Sequence, residues 1–447
     1  MVLMIVCIAM NLSVVIALIG GFICFFAVAV ARKYKPRHVF KMSLEGVKTS
    51  WVVLKLLFLI GCLTALWRAS GTIAFFVYYG MDIITPQAFI IIAFLLTALM
   101  SYFLGSSFGV TSTAGVMLMI LARSGGVNEF ITAGAILSGA YFGDRSSPVS
   151  SSAFLTATMS GVSPEENKKW LLKTGVFPLV VTGIIFTVLS FKNPISGVSQ
   201  SVMESLSGTY DISLWAAVPA IVLLVLPWMK VSVSNTILIS AITSFVVAVI
   251  FQNQSPAALV TYMVTGYELD SAALGDIMAG GGVISMVEVM IVVILSSSYA
   301  GIFEETGMLN SLKDKMDKAA TKIGLFGLQL VFSVLSVMIF CNQTIATILS
   351  VQLLGDTYKR KGASNEELAM DIGNSLITIC GLVPWSVACA VPLSMLDIGN
   401  GAIPWCIFLY MNPICYIFTK RLFFKKDKEN QCKNGTPLEW SSFVCFI

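Results

Sequence analysis

Apolar segments at about residues 2 to 30, 50 to 84, 88 to 122, 130 to 161, 171 to 190, 213 to 229, 232 to 251, 283 to 309, 323 to 355, 368 to 398 and 402 to 419 fill most of this 447-residue chain. Each runs for roughly 17 residues or more, the length a helix needs to cross the hydrocarbon of a bilayer, and none alternates with the period of two that a membrane barrel requires. With 57% hydrophobic and only 12% charged residues, the composition lies outside the balance of soluble domains. The expected fold class is all-α, a polytopic membrane protein. The first segment begins apolar at Val2 and lacks both a basic leader and a small-residue cleavage site, so it reads as a transmembrane helix and not as a removable signal peptide.

Several segments are too long for one straight span. A 32-residue helix such as 130 to 161 would reach about 48 Å against a hydrocarbon core of about 30 Å, so it must tilt, break or re-enter. Interruptions stand at the right places: WRASGT from 67, GSSFGVTSTAG from 105, GDRSSP from 143, FEETG from 303, CNQT from 341 and GLVPWS from 381. If 88 to 122 and 323 to 355 are re-entrant hairpins, the basic connectors 31 to 48, 163 to 173, 310 to 322 and 359 to 361 fall on one side of the membrane. Lys230 and the tail from Lys420 join them there, and that side holds 23 of the 28 Lys and Arg residues. Cationic residues collect in cytoplasmic loops, which orients the chain in a cell membrane, the bacterial cytoplasmic membrane being the expected one.

The same map holds an internal repeat with an offset of 236 residues. Three interruptions coincide under it, and the basic connector 31 to 48 falls on 267 to 284, which has no Lys or Arg. Opposite orientation of the halves follows, an inverted structural repeat with discontinuous helices, as in many secondary transporters. The expected organisation is a first repeat over 1 to 212 with hairpin 88 to 122, a linking helix at 213 to 229, a second repeat over 230 to 426 with hairpin 323 to 355, and a cytoplasmic tail at 427 to 447.

Asp144 is the residue that most needs explaining. Fourteen residues into its segment, it lies about 21 Å deep. An ionised carboxylate there must face protein or a water-filled cavity and be held by a partner or a cation. Pro148 disfavours helix at Ser147, the opening exposes carbonyls at the negative end of the first half-helix, and Ser150, Ser151 or Ser152 can cap the second. Carboxylate, hydroxyl and carbonyl oxygens are the hard ligands of a small alkali cation, and Asp144, Ser147, Ser150 and Ser151 form the expected set. Burial penalises the ionised form, so a proton competes for the same carboxylate. The alternative is a structural ion pair with Arg145. In the second half, Asn342, Gln343, Thr344 and Thr347 can ligate a cation or bind substrate, or else satisfy backbone freed at a re-entrant tip, and across the repeat Ser106, Ser107, Thr111, Ser112 and Thr113 take the same part. Asp371 and Asn374 share a helical face that can point at the cavity, although Asp371 can instead sit at the cytoplasmic interface. Arg68 and Glu304 occupy equivalent repeat positions with opposite charge, and Glu288 reads as interfacial.

Other functions find little support. The ten cysteines are scattered singly with no CxxC pair, so they read as packing residues. The net charge of +4 comes with no basic patch interleaved with aromatics, which excludes nucleic-acid binding. His38 is the only histidine, and HExxH, GxSxG and GxxxxGK[ST] patterns are absent, which argues against an enzyme. No cofactor is expected; Na+ is the transported or coupling ion.

GAYFGDRSSPVSSS (from 139), NQTIATILS (from 342) and NSLITICGLVPWSVACAVPLSMLDI (from 374) together resemble the NhaC-type sodium/proton antiporters of the ion transporter superfamily, over about residues 50 to 400. The resemblance implies that Asp144, Ser147 and Ser150 belong to the cation site and that Asn374, Pro384 and Trp385 supply matching elements of the other half. One departure stands out. Position 151, often a second aspartate in that family, is serine here, which removes a possible proton carrier. The leading expectation is exchange of Na+ for H+ by alternating access, and the alternative is Na+- or H+-coupled transport of a small organic anion or amino acid, as in malate/lactate exchange. The expected partners are Na+, H+ and the lipid bilayer, with a homodimer as a further candidate.

Overall fold

A computed structural model of the chain describes residues 7, 10, 13–83, 87–147, 150–194, 200–229, 231–269, 278–306 and 313–433. Among these the one extended pairing is an isolated antiparallel bridge between Tyr267 and Gly280. The rest is helix and connection: α1 (Val14–Ala31), α2 (Pro36–Thr49), α3 (Trp51–Ala69), α4 (Thr72–Ile83), α5 (Phe89–Leu104), α6 (Ser107–Ser124), α7 (Glu129–Ser146), α8 (Ser151–Ser160), α9 (Pro164–Lys192), α10 (Gln200–Thr209), α11 (Val218–Trp228), α12 (Val233–Ile250), α13 (Pro256–Thr265), α14 (Gly282–Thr306), α15 (Lys313–Phe340), α16 (Gln343–Arg360), α17 (Asn365–Ile379), α18 (Val387–Met395) and α19 (Ile407–Lys433). Six of the described helices are long and apolar enough to cross a membrane, namely α1, α3, α6, α9, α12 and the Met316–Phe340 part of α15. The pair Asn365–Leu382 and Val387–Met395, bent by 53°, makes a seventh. The chain is an all-α, multi-pass membrane protein.

Position in the bundle follows from side-chain size. α9 carries Val176, Phe177, Val180, Ile184 and Val188 exposed along one stripe, the face a helix offers to lipid. α7 is the opposite case, buried on every side from Ile131 to Ser146. Small residues allow this. A side chain at Gly139 would run into Thr97 and the Phe94 carbonyl, and one at Gly143 into the Ser101 and Tyr102 backbone, so α5 lies directly against α7 along this small-residue face. Ser101 donates across that contact to the Ala140 carbonyl.

Helix boundaries recur 236 residues apart. Gly105 and Cys341 both adopt positive φ, 66° and 57°, at a two-residue break. The N-caps Ser106 and Asn342, Asn128 and Ser364, and Ser150 and Ser386 are pairwise equivalent, and each side chain accepts a first-turn backbone N–H. Contacts exchange under the same offset. A Cβ at Gly46 would meet the Ser297 carbonyl, and a Cβ at Gly61 would meet the Gly282 carbonyl; residues 46 and 282 are equivalent, as are 61 and 297. α2 and α3 therefore pack antiparallel against α14 about a local pseudo-twofold. Segment 323 to 355 is an antiparallel helical hairpin: Arg360 pairs with Asp317 at 2.8 Å, the Tyr358 hydroxyl donates to the Leu325 carbonyl at 3.1 Å, and Gln329 donates to Ser350 at 3.3 Å.

Three expectations change in detail. The basic connector 31 to 48 contains a helix of its own, α2, begun by Pro36 at its first turn. The connector 163 to 173 is the first part of α9, capped at Ser163, because hydropathy marks where a helix leaves lipid and not where it ends. The segment 213 to 229 is a short 3-10 turn, Leu214–Ala217, leading into α11. Lys230, Pro148, the Glu304 side chain, residues 270–277 of the segment 267 to 284 and residues 434–447 lie outside the described residues.

Candidate cation site

α7 breaks where the sequence predicts. Its last helical residue is Ser146, Ser147 is extended at φ −70° and ψ 143°, and α8 restarts after its N-cap Ser150. Asp144 lies in the last turn before the break, only 6% exposed. Three hydroxyls converge on its carboxylate: Ser107 donates to Oδ2 at 2.9 Å, and Ser150 and Ser152 donate to Oδ1, each at 3.3 Å. Ser150 also donates to the Asp144 main-chain carbonyl, one of the acceptors a helix leaves free at its C-terminus. One carboxylate thus sits among hydroxyl and carbonyl oxygens contributed by α6, α7 and α8.

The ion-pair alternative fails on geometry. Arg145 is fully buried and points away from Asp144, into a cage of neutral acceptors: Nε donates to the Gly373 carbonyl at 3.0 Å, and Nη2 to the Leu171 carbonyl at 2.8 Å, Thr174 Oγ1 at 2.7 Å and Asn374 Oδ1 at 2.8 Å. The guanidinium binds α7 to α9 and α17, and among the described residues no protein cation meets the carboxylate.

The predicted residues divide accordingly. Asp144 and Ser150 come together, and Ser147 sits buried at the opening. Ser151 does not join them. It is exposed, and Ser152, one residue further round the first turn of α8, takes the place expected of it, because a rotation of about 100° per residue decides which hydroxyl faces α7. Asn374 is committed to Arg145 and to the Met370 carbonyl, so it does not face Asp144. Trp385 donates from its indole to the Met338 carbonyl at 2.9 Å and pins the second break against α15. Asn342 caps α16, Thr344 is exposed, and Thr111 bonds back to the Ser107 carbonyl at 2.8 Å.

Gln343 is different. Its Oε1 lies 3.0 Å from the Cys380 thiol, and residues 343 and 380 stand 236 positions after Ser107 and Asp144. Ser386 likewise donates to the Cys380 carbonyl, as Ser150 does to that of Asp144. The two breaks share these contacts, and one carries a carboxylate where the other carries a thiol. The breaks touch: the Tyr141 hydroxyl on α7 donates to the Ala388 carbonyl on α18.

The sequence missed two features here. α6 contains a π-helical turn, Thr111–Gly115, in which Thr111, Ser112 and Thr113 donate to carbonyls of the preceding turn, relieving the regular backbone pattern just after Ser107. The run of three hydroxyl residues was the available signal. Asp371 is not part of this site. It is fully buried and accepts from Tyr358 at 2.7 Å, Tyr416 at 3.0 Å and Lys420 at 2.5 Å, and Lys420 also pairs with Glu367 at 2.8 Å. Nothing local in the sequence joins residues 371 and 420. Glu288 is exposed and accepts from Ser13, in keeping with an interfacial place.

A family model described as the Na+/H+ antiporter family matches residues 2–191 and 139–420. The chain belongs to the Na+/H+ antiporter family. Among curated members and relatives, it is 24% identical over 401 residues to the Na(+)/H(+) antiporter NhaC of Alkalihalophilus pseudofirmus, covering 88% of this chain and 86% of that protein. It is 28% identical over 386 residues to the malate-2H(+)/Na(+)-lactate antiporter of Bacillus subtilis, covering 84% and 82%. To the arginine/ornithine antiporter ArcD of Halobacterium salinarum it is 24% identical over 424 residues, covering 90% and 86%. The NhaC-type assignment carried by the three motifs therefore holds for this Na+/H+ antiporter family chain.

Proposed function

We propose that this protein exchanges Na+ for H+ across the cytoplasmic membrane, with Asp144 as the group both ions share. The observation that carries the reading is a buried carboxylate surrounded by three hydroxyls and a helix-terminal carbonyl, with no guanidinium or ammonium against it among the described residues. Na+ takes the carboxylate, the Ser107, Ser150 and Ser152 oxygens and carbonyl oxygen of the break as its coordination shell. Hydroxyls suit this, since each rotates from donating to the carboxylate to presenting a lone pair to the ion. A proton on Asp144 removes the negative charge the cation needs, so each ion displaces the other.

The pseudo-twofold and the recurring boundaries support an inverted repeat. Two halves of opposite orientation exchange inward-open and outward-open forms about a fixed central site. In this orientation the basic connectors and the tail face the cytoplasm. Asp144→Asn tests the role: a Na+ pulse applied to proteoliposomes should move internal pH with the wild type and leave it unchanged with the variant, and a pH shift in the variant as large as in the wild type refutes the assignment. A second reading, Na+-coupled exchange of a small organic anion, is favoured by the likeness to the malate/lactate antiporter. Added lactate or malate would then be required for the pH response to Na+.

A further inference from the structure

We propose that a second site, separate from Asp144, binds a small carboxylate anion through Arg68. A cavity of about 240 Å³ lies where the ends of α3 and α6, the start of α14 and the turn after α18 meet. It holds three charged side chains, Arg68, Arg123 and Asp397. Arg123 is already committed: Nε donates to Glu129 at 2.8 Å, and Nη2 to the Leu396 and Asp397 carbonyls at 3.0 and 2.6 Å. Arg68 is not. It is 7% exposed, Nη1 donates to the Thr64 carbonyl of its own helix at 3.0 Å, and Nε is buried with no hydrogen-bond partner. Among the described residues no carboxylate stands within ion-pairing distance of it. A buried guanidinium with an unused donor is costly; Nε has no surface open to the cavity, so an anion there binds at Nη2 and takes Nε as well once the side chain turns toward it.

The surroundings define the ligand. Gly280 stands beside Nη2 with φ of 114°, and a Cβ there would lie 3.6 Å from that nitrogen, so glycine leaves the donor edge uncovered. Ile120 and Met286 provide apolar wall for a short hydrocarbon, and the Ser285 and Ser394 hydroxyls can meet a polar substituent. The volume is below the roughly 300–1,000 Å³ of sites for drug-sized ligands, so the occupant has only a few carbons. Nine residues of α6, about 14 Å, separate Ser107 at the Asp144 site from Val116 at the cavity wall. This site deepens the organic-anion reading by giving it a place to bind, and it rests on Arg68 and not on the cation site.

Full-length protein in detergent, free of Na+, is titrated with the N-methylglucamine salts of acetate, lactate and malate, against chloride and the neutral amide lactamide. Trp67, which lines the cavity, reports by fluorescence. At least one carboxylate should give a saturable change that chloride and lactamide do not, and Arg68→Gln should weaken it at least tenfold while Na+-linked proton release persists. Asp144→Asn should lose that proton release and keep carboxylate binding. Asp397→Asn should tighten it, since a rim negative charge is removed. No saturable response to any carboxylate, an equal response to chloride or lactamide, or undiminished affinity in Arg68→Gln would overturn the proposal. Should Arg68→Gln not fold, the wild-type contrast of lactate with lactamide decides.

Discussion

Asp144 and Arg145 are sequence neighbours whose charges are handled in opposite ways. The arginine is satisfied by fixed carbonyl and amide oxygens on α9 and α17, whereas the aspartate is met by hydroxyls that can turn. Arg145→Met should therefore act on stability: with charged hydrogen bonds contributing roughly 1.5–3 kcal/mol each, losing the cage should cost at least about 3 kcal/mol and lower the thermal midpoint in detergent by several degrees. Na+ affinity of the folded fraction should change less than tenfold; a larger loss of affinity with an unmoved midpoint would place Arg145 in the cation site. The sequence exposed the need for an Asp144 site, since a carboxylate so deep in an apolar segment demands one. It could not expose the arginine cage, whose acceptors at 171, 174, 373 and 374 belong to other helices. Nor could it choose Ser152 over Ser151, a choice that depends on the phase of a helix restarted after a break.

At the scale of the element, the two broken helices share one design and differ at one side chain. Ser150 and Ser386 cap equivalent half-helices and donate to equivalent carbonyls. Replacing either by alanine should cost about 1 kcal/mol of stability. Na+ affinity should fall at least tenfold in Ser150→Ala alone, as measured by Na+-dependent thermal shift; equal losses in both variants would deny the asymmetry between Asp144 and Cys380. The close seat of α7 on α5 is a second element-scale feature. Gly143→Val drives a side chain into the Ser101 and Tyr102 backbone, and with overpacking costs of about 1–3 kcal/mol or more, it should lower the yield of monodisperse protein and the thermal midpoint together. The interruptions at 105, 143, 341 and 381 were visible in the sequence because glycine, proline and hydroxyl residues stand out within apolar helix. α2 was hidden, because a basic connector and a basic surface helix have the same composition.

At the scale of the molecule, alternating access needs two halves that are alike and opposed. The offset of 236 residues, weak as residue identity, recurs in the N-caps Ser106 and Asn342, Asn128 and Ser364, and Ser150 and Ser386, the pattern that two such halves would leave. The orientation drawn from the basic connectors predicts that cysteines introduced as Lys33→Cys and Gly362→Cys react with a membrane-impermeant maleimide from the cytoplasmic side, while Gly126→Cys and Asn193→Cys react from outside. Labelling of positions 33 and 362 from opposite faces would contradict it. Exchange through this fold requires that Na+ and a proton compete for one buried carboxylate. Adding Na+ to weakly buffered, purified protein and recording the pH measures that directly: the wild type should release a proton for each Na+ bound and Asp144→Asn none, whereas undiminished release from a folded Asp144→Asn protein would contradict the central claim.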